Sequence, residues 1–149
     1  MLIESENKMY HFKYGRWDQL QQDAKLIRTQ VFIVEQQIPE AEEWDDHDAI
    51  SQHFVIYDQD QPIATARLLQ NNSVGRVAVL RSHRGVGIGK LLMERIIQQA
   101  KYEQRKFLKL SSQVHAIQFY AALDFKVEGE QYLDCGNPHI DMRLLFTCS

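Results

Sequence analysis

Residues 76–96, RVAVLRSHRGVGIGKLLMERI, limit most tightly what this chain can fold into. An apolar run breaks into basic residues and three glycines, at 85, 87 and 89, then resumes with helical spacing. A strand, a glycine turn and a helix start in that order let the backbone approach a ligand closely. The turn amides and the first amides of the helix together make a site for a phosphate. Three folds use such parts, and spacing separates them. A P-loop needs G-x-x-x-x-G-K-[ST]; here Leu91 follows Gly89-Lys90, nothing can hold Mg²⁺, and position 84 is Arg. A dinucleotide fold needs G-x-G-x-x-G, but Lys90 stands where its third glycine belongs.

The rest of the chain supplies the frame. Residues 9–14 (MYHFKY) alternate and read as a strand. From Asp18, the apolar positions Leu20, Ala24, Ile27, Val31 and Val34 recur at helical spacing, and Pro39 ends that region. An acidic segment, 40–48, follows as a loop or short helix. Residues 53–57 and 63–69 read as a hairpin, and 73–80 as a third strand of the same meander. After the glycines, Leu92, Met93, Ile96, Ile97 and Ala100 mark a helix ending near Gln104. Then come a strand at 107–111, a helix at 114–123, and two strands at 125–133 and 139–146. This is a mixed α/β chain, not a regular succession of βαβ units.

A length of 149 residues fits one domain, 1–149. A net charge of −3 argues against a nucleic-acid partner, whereas Arg76, Arg81, His83, Arg84 and Lys90 gather around the glycines. That local charge suits a small anionic ligand. No apolar stretch is long enough to span a bilayer and no signal-peptide pattern opens the chain, so no membrane and a cytoplasmic location are expected. Cys135 and Cys148 are too few for a disulfide framework, and no metal-ligand spacing is present, so no metal is expected.

What remains is R-x-x-G-x-G, here Arg84-Gly85-Val86-Gly87-Ile88-Gly89, after the strand Val77-Ala78-Val79. Downstream, QVHAIQFYAALDF (113–125) is similar to N-x-x-A-x-x-F-Y-x-x-x-G-F, with Ala116, Phe119, Tyr120 and Phe125 in place, Gln113 for Asn and Asp124 for Gly. With these two motifs the chain resembles the GCN5-related N-acetyltransferase (GNAT) superfamily. VFIVEQQ (31–37) and PHIDM (138–142) resemble a subgroup of small bacterial acyltransferases. The resemblance implies the GNAT fold: a mostly antiparallel sheet with parted central strands, flanked by helices. It implies acetyl-CoA as co-substrate, its pyrophosphate held by the loop 84–89 with Lys90, and its pantetheine arm by the main chain of Val77, Ala78 and Val79. Gln113, Ala116, Phe119 and Tyr120 would complete the coenzyme site. Homodimers are frequent among proteins of this kind.

Acetyl transfer needs a neutral amine, a polarised thioester carbonyl and a proton for the departing thiolate. The resemblance puts Tyr120 where a general acid serves the coenzyme sulfur, and a phenol of ordinary pKa about 10 keeps its proton at neutral pH. A backbone amide at a strand bulge, that of Val79 or Leu80, is the expected oxyanion donor. For the base, two candidates stand: Glu35 at the end of the first helical region and His139 at the start of the last strand. His53 reads rather as a structural histidine, and the acidic run as a solvated loop. Cys135 lacks an activating partner, which favours direct attack over a covalent acyl-enzyme. The resemblance implies a small-molecule or peptide amine as acceptor. The competing reading is a non-catalytic acyl-CoA-binding or regulatory module on the same fold, against which Tyr120 argues.

Overall fold

The computed structural model describes residues 2–5 and 8–147; Cys148 lies outside them. Five strands run antiparallel in chain order: β1 (Leu2–Ser5), β2 (Lys8–Gly15), β3 (Gln52–Asp58), β4 (Gln61–Leu68) and β5 (Val74–Val79). A second sheet orders β6 (Phe107–Gln113), β8 (Asn137–Leu145) and β7 (Lys126–Asp134), all antiparallel. The helices are α1 (Trp17–Arg28), α2 (Glu40–Glu43), α3 (Ile88–Tyr102) and α4 (Ile117–Ala121). The expected mixed α/β order is present, with β1 as an additional strand.

β3 is buried on both faces because a helix covers each. Its Phe54 and Ile56 join Leu92, Met93 and Ile96 of α3 in one cluster, while Val55 and Tyr57 join Leu20 and Ile27 of α1 in another. The helical pattern from Asp18 continues past α1 as a π-helical stretch, Thr29–Glu35. That change of pitch rotates the apolar stripe off the sheet: Val31 stays buried but Val34 is exposed. The helix expected over 114–123 is a short α4 preceded by a tight 3₁₀ turn, Val114–Ala116.

The two sheets meet at one parallel bridge, between Ser73 and Lys109, where the Lys109 amide donates to Asn72 O at 3.0 Å. Beyond it β5 and β6 belong to separate sheets. Two neighbouring strands joined at one end leave a wedge between them.

The acidic segment is not the solvated loop expected of it. Arg28, at the end of α1, is 1% exposed; its Nε donates to Glu43 Oε2 and its Nη1 to Asp48 Oδ1, both at 2.7 Å. Arg67 on β4 binds Asp45 at 2.6 Å and Asp48 at 2.9 Å. The carboxylates thus tie segment 40–48 to α1 and the sheet. Their burial was illegible because the partnering arginines lie far away in sequence. His53 is the structural residue it was expected to be: it is buried against Trp17, its Nε2 lies 2.8 Å from Asp48 O, and burial pushes its pKa down.

Candidate active site

The wedge opens into a cavity of about 660 Å³. Its walls bring together Val77, Ala78 and Val79 of β5, Gln113 of β6, Ala116, Phe119 and Tyr120 around α4, and His139 of β8, with Glu35, Arg84 and Gly89 at the side. Residues far apart in sequence therefore converge on one space. Gly85, Gly87 and Lys90 are exposed on the loop outside that lining, and Ile88 turns its side chain into the core. Only the main chain of Ile88 is left to meet a ligand.

Gly87 occupies the left-handed region at φ 88° and immediately precedes α3. The first-turn amides of α3 have no intrahelical acceptors. Gly89 has a different requirement: a Cβ there would lie 3.3 Å from the Phe119 ring. The glycine motif and the Phe-Tyr motif, thirty positions apart, are thus in contact.

The strand bulge falls earlier than expected. Register along β4 and β5 passes from Thr65 opposite Ala78 to Arg67 opposite Gly75, so the irregularity lies at Arg76 and Val77, with Arg76 at φ 49°. Leu80, one of the two expected oxyanion donors, gives its amide to Ile63 O at 2.8 Å. That amide is consumed by the sheet. Ladder alternation turns the main chain of Val79 the other way, to the open side, where its carbonyl accepts from Arg84 Nε at 2.8 Å.

Arg84 does more than border the loop. It grips Glu35 with both arms of its guanidinium, at 2.9 and 2.8 Å, and Arg81 stands 3.5 Å from the same carboxylate. The hydrogen bond from Arg84 holds the Glu35 carboxyl below its usual range. His139 presents the opposite case. It is 8% exposed, and its Nδ1 lies 2.9 Å from Asn137 O. A carbonyl only accepts, so Nδ1 carries the proton and Nε2 of the neutral ring is left with a lone pair. Tyr120 packs edge-on against Phe119 at 5.0 Å and Phe125 at 5.9 Å; burial pushes its phenol up to about 12.

The fold is that of the GNAT acyl-CoA N-acyltransferases. A family model of the acetyltransferase (GNAT) domain matches residues 18–146. The uncharacterized N-acetyltransferase YjcF of Bacillus subtilis is 34% identical over 124 residues, covering 80% of this chain and 89% of that protein. A solved acyl-CoA N-acyltransferase from Pseudomonas aeruginosa is similar with a TM-score of 0.82 and 31% identity, over 90% of this chain and 98% of that one. Escherichia coli ElaA gives a TM-score of 0.82 at 26% identity, over 91% and 99% of the two chains. The chain belongs to the GNAT acetyltransferase family.

Proposed function

We propose that this protein transfers an acetyl group from acetyl-CoA to a primary amine by direct attack in a ternary complex. The observation that carries the reading is the convergence, in one cavity, of a half-buried phenol and a histidine with a free acceptor nitrogen. The pyrophosphate would lie on the glycine loop, at Gly85, Gly87 and the start of α3, and the pantetheine arm along β5. The outward-turned Val79 amide is the oxyanion donor, Leu80 being committed to the sheet. The amine nitrogen attacks the thioester carbon, the carbon–sulfur bond breaks, and the thiolate takes the Tyr120 proton. His139 Nε2 receives the proton that the amine loses. Of the two candidate bases His139 is the better placed, because Glu35 is already neutralised by Arg84.

Calorimetry with acetyl-CoA, and with ATP and NAD as controls, is the first test. Selective binding of acetyl-CoA, followed by free-thiol release with a panel of primary amines, is the expected result. Binding without release on any amine would favour the non-catalytic module. In the same titration Gly87→Val abolishes acetyl-CoA binding, because a β-branched residue is strained at φ 88° and deforms the loop. Undiminished affinity would displace the pyrophosphate from this loop.

Glu35→Gln has the reverse effect. In the free protein Glu35 competes with any phosphate for Arg84. An exposed ion pair contributes up to about 1 kcal/mol, so its loss tightens acetyl-CoA binding by up to about fivefold. Weaker binding in the same calorimeter would mean that Glu35 instead holds Arg84 in its productive position.

A further inference from the structure

A hydrogen-bonded chain on the polar face of the second sheet is idle in the mechanism above. β6 turns Leu108 and Leu110 into the core with α3, so Ser111 faces the opposite side. Ser111 is paired across the sheet with Asp141, and Tyr132 with His139, which sets all four side chains on one face. Tyr132 stacks on the His139 ring at 6.2 Å. Its hydroxyl donates to Asp141 Oδ1 at 2.6 Å and also touches the Ser111 hydroxyl.

Proton counting fixes the direction of every bond in this chain. A phenol has one proton, and an ionised carboxylate can only accept. The Tyr132 proton therefore goes to Asp141, and Ser111 must give its own proton to the Tyr132 oxygen. Ser111 lines the cavity, so it presents lone pairs alone to whatever enters. His139 Nε2, on the same face, has the same polarity. Two acceptors of fixed direction match a group with two N–H bonds. A neutral primary amine held by both keeps its own lone pair free for the thioester carbon.

We propose that Ser111 orients the acceptor amine by accepting one of its N–H bonds, with Tyr132 and Asp141 as positioning residues that fix the direction of the Ser111 hydroxyl. The assignment rests on the acyltransferase reading above. The amine nitrogen gains the acyl bond, loses its other proton to His139, and keeps the N–H that Ser111 holds.

The test is steady-state thiol release with acetyl-CoA and whichever of spermidine, lysine, glucosamine or an alanyl peptide the wild type uses best. Ser111→Ala and Tyr132→Phe each lower kcat/KM for that amine by about tenfold while the KM for acetyl-CoA stays within about twofold. The double variant falls no further than Ser111→Ala alone, because Tyr132 acts through Ser111. Ser111 and Tyr132 are exposed, so neither change empties the core; Asp141→Asn, which lets the direction of the chain reverse without changing its shape, is the third arm. Additive losses, an unchanged kcat/KM for the amine, or a shift confined to acetyl-CoA would overturn the assignment and leave the acyltransferase reading standing. A wild type that binds acetyl-CoA but turns over none of these amines would overturn both.

Discussion

Tyr120→Phe lowers turnover by roughly a hundredfold to a thousandfold while leaving the affinity for acetyl-CoA within about twofold. The substitution keeps the ring and its edge contacts with Phe119 and Phe125, so the cavity wall is conserved. Only the hydroxyl, and with it the transferable proton, is lost. Without it the thiolate departs uncapped, or takes a proton from water that is not held in place. The wild-type phenol, raised to about 12 by burial, stays protonated throughout the assay range. A titration of kcat therefore shows no alkaline limb from Tyr120 below about pH 11. Thiol-release rates for the two proteins, with calorimetry on both, check this. Equal turnover would remove Tyr120 from the chemistry and leave it a packing residue.

Arg28→Met destabilises the protein by about 3 kcal/mol, the low end of the cost of breaking a buried ion pair, because Arg76 and Arg67 still reach Glu43 and Asp48 at 3.2 and 2.9 Å. Arg28, Glu43 and Asp48 are 1%, 2% and 3% exposed, and Arg28 contributes to both ion pairs. Urea unfolding of the two proteins gives the number directly. The exposed Lys8–Asp58 pair is the internal control: Lys8→Met leaves the unfolding midpoint almost unchanged. An equally small change at Arg28 would mean that methionine packing offsets the lost charge. The same network sets the acid limb. The hydrogen bond from Arg67 holds Asp45 at about 2, below its ordinary 3.8. A depressed carboxylate lends its full stabilisation above its unfolded pKa and loses it as pH falls through the folded one. Stability from Asp45 thus drains away between about pH 4 and pH 2, and Asp45→Asn flattens that part of the curve.

The order of elements was legible because its signals are local. The short apolar run at 53–57 and helical spacing at Leu92, Met93 and Ile96 each report burial within one short stretch. The glycine loop was legible for the same reason, positive φ at Gly85 and Gly87 being a local demand of backbone shape. The long-range ion pairs were not. Arg28 meets Asp48 across twenty positions and Arg84 meets Glu35 across forty-nine. No spacing rule joins such pairs; only the folded sheet does. The π-helical stretch at Thr29–Glu35 shows a subtler loss, since a change of pitch within one helix turned Val34 outward against its apparent stripe. Ser111, Tyr132 and Asp141 were hidden differently: alternation on β6 and β8 could have marked their shared face, but their hydrogen bonds needed the register.

An unpaired strand margin normally invites a neighbouring polypeptide to add itself, the first step of many aggregates. β5 keeps such a margin open inside the wedge, yet the bulge at Arg76 interrupts its rhythm and the guanidinium of Arg84 sits on the Val79 carbonyl. An intruding strand would find no continuous ladder to extend. A slender, flexible molecule that asks for one or two main-chain bonds meets no such obstacle. The same irregularities thus act as a filter: the protein can leave backbone exposed for a small guest without offering it to its own kind.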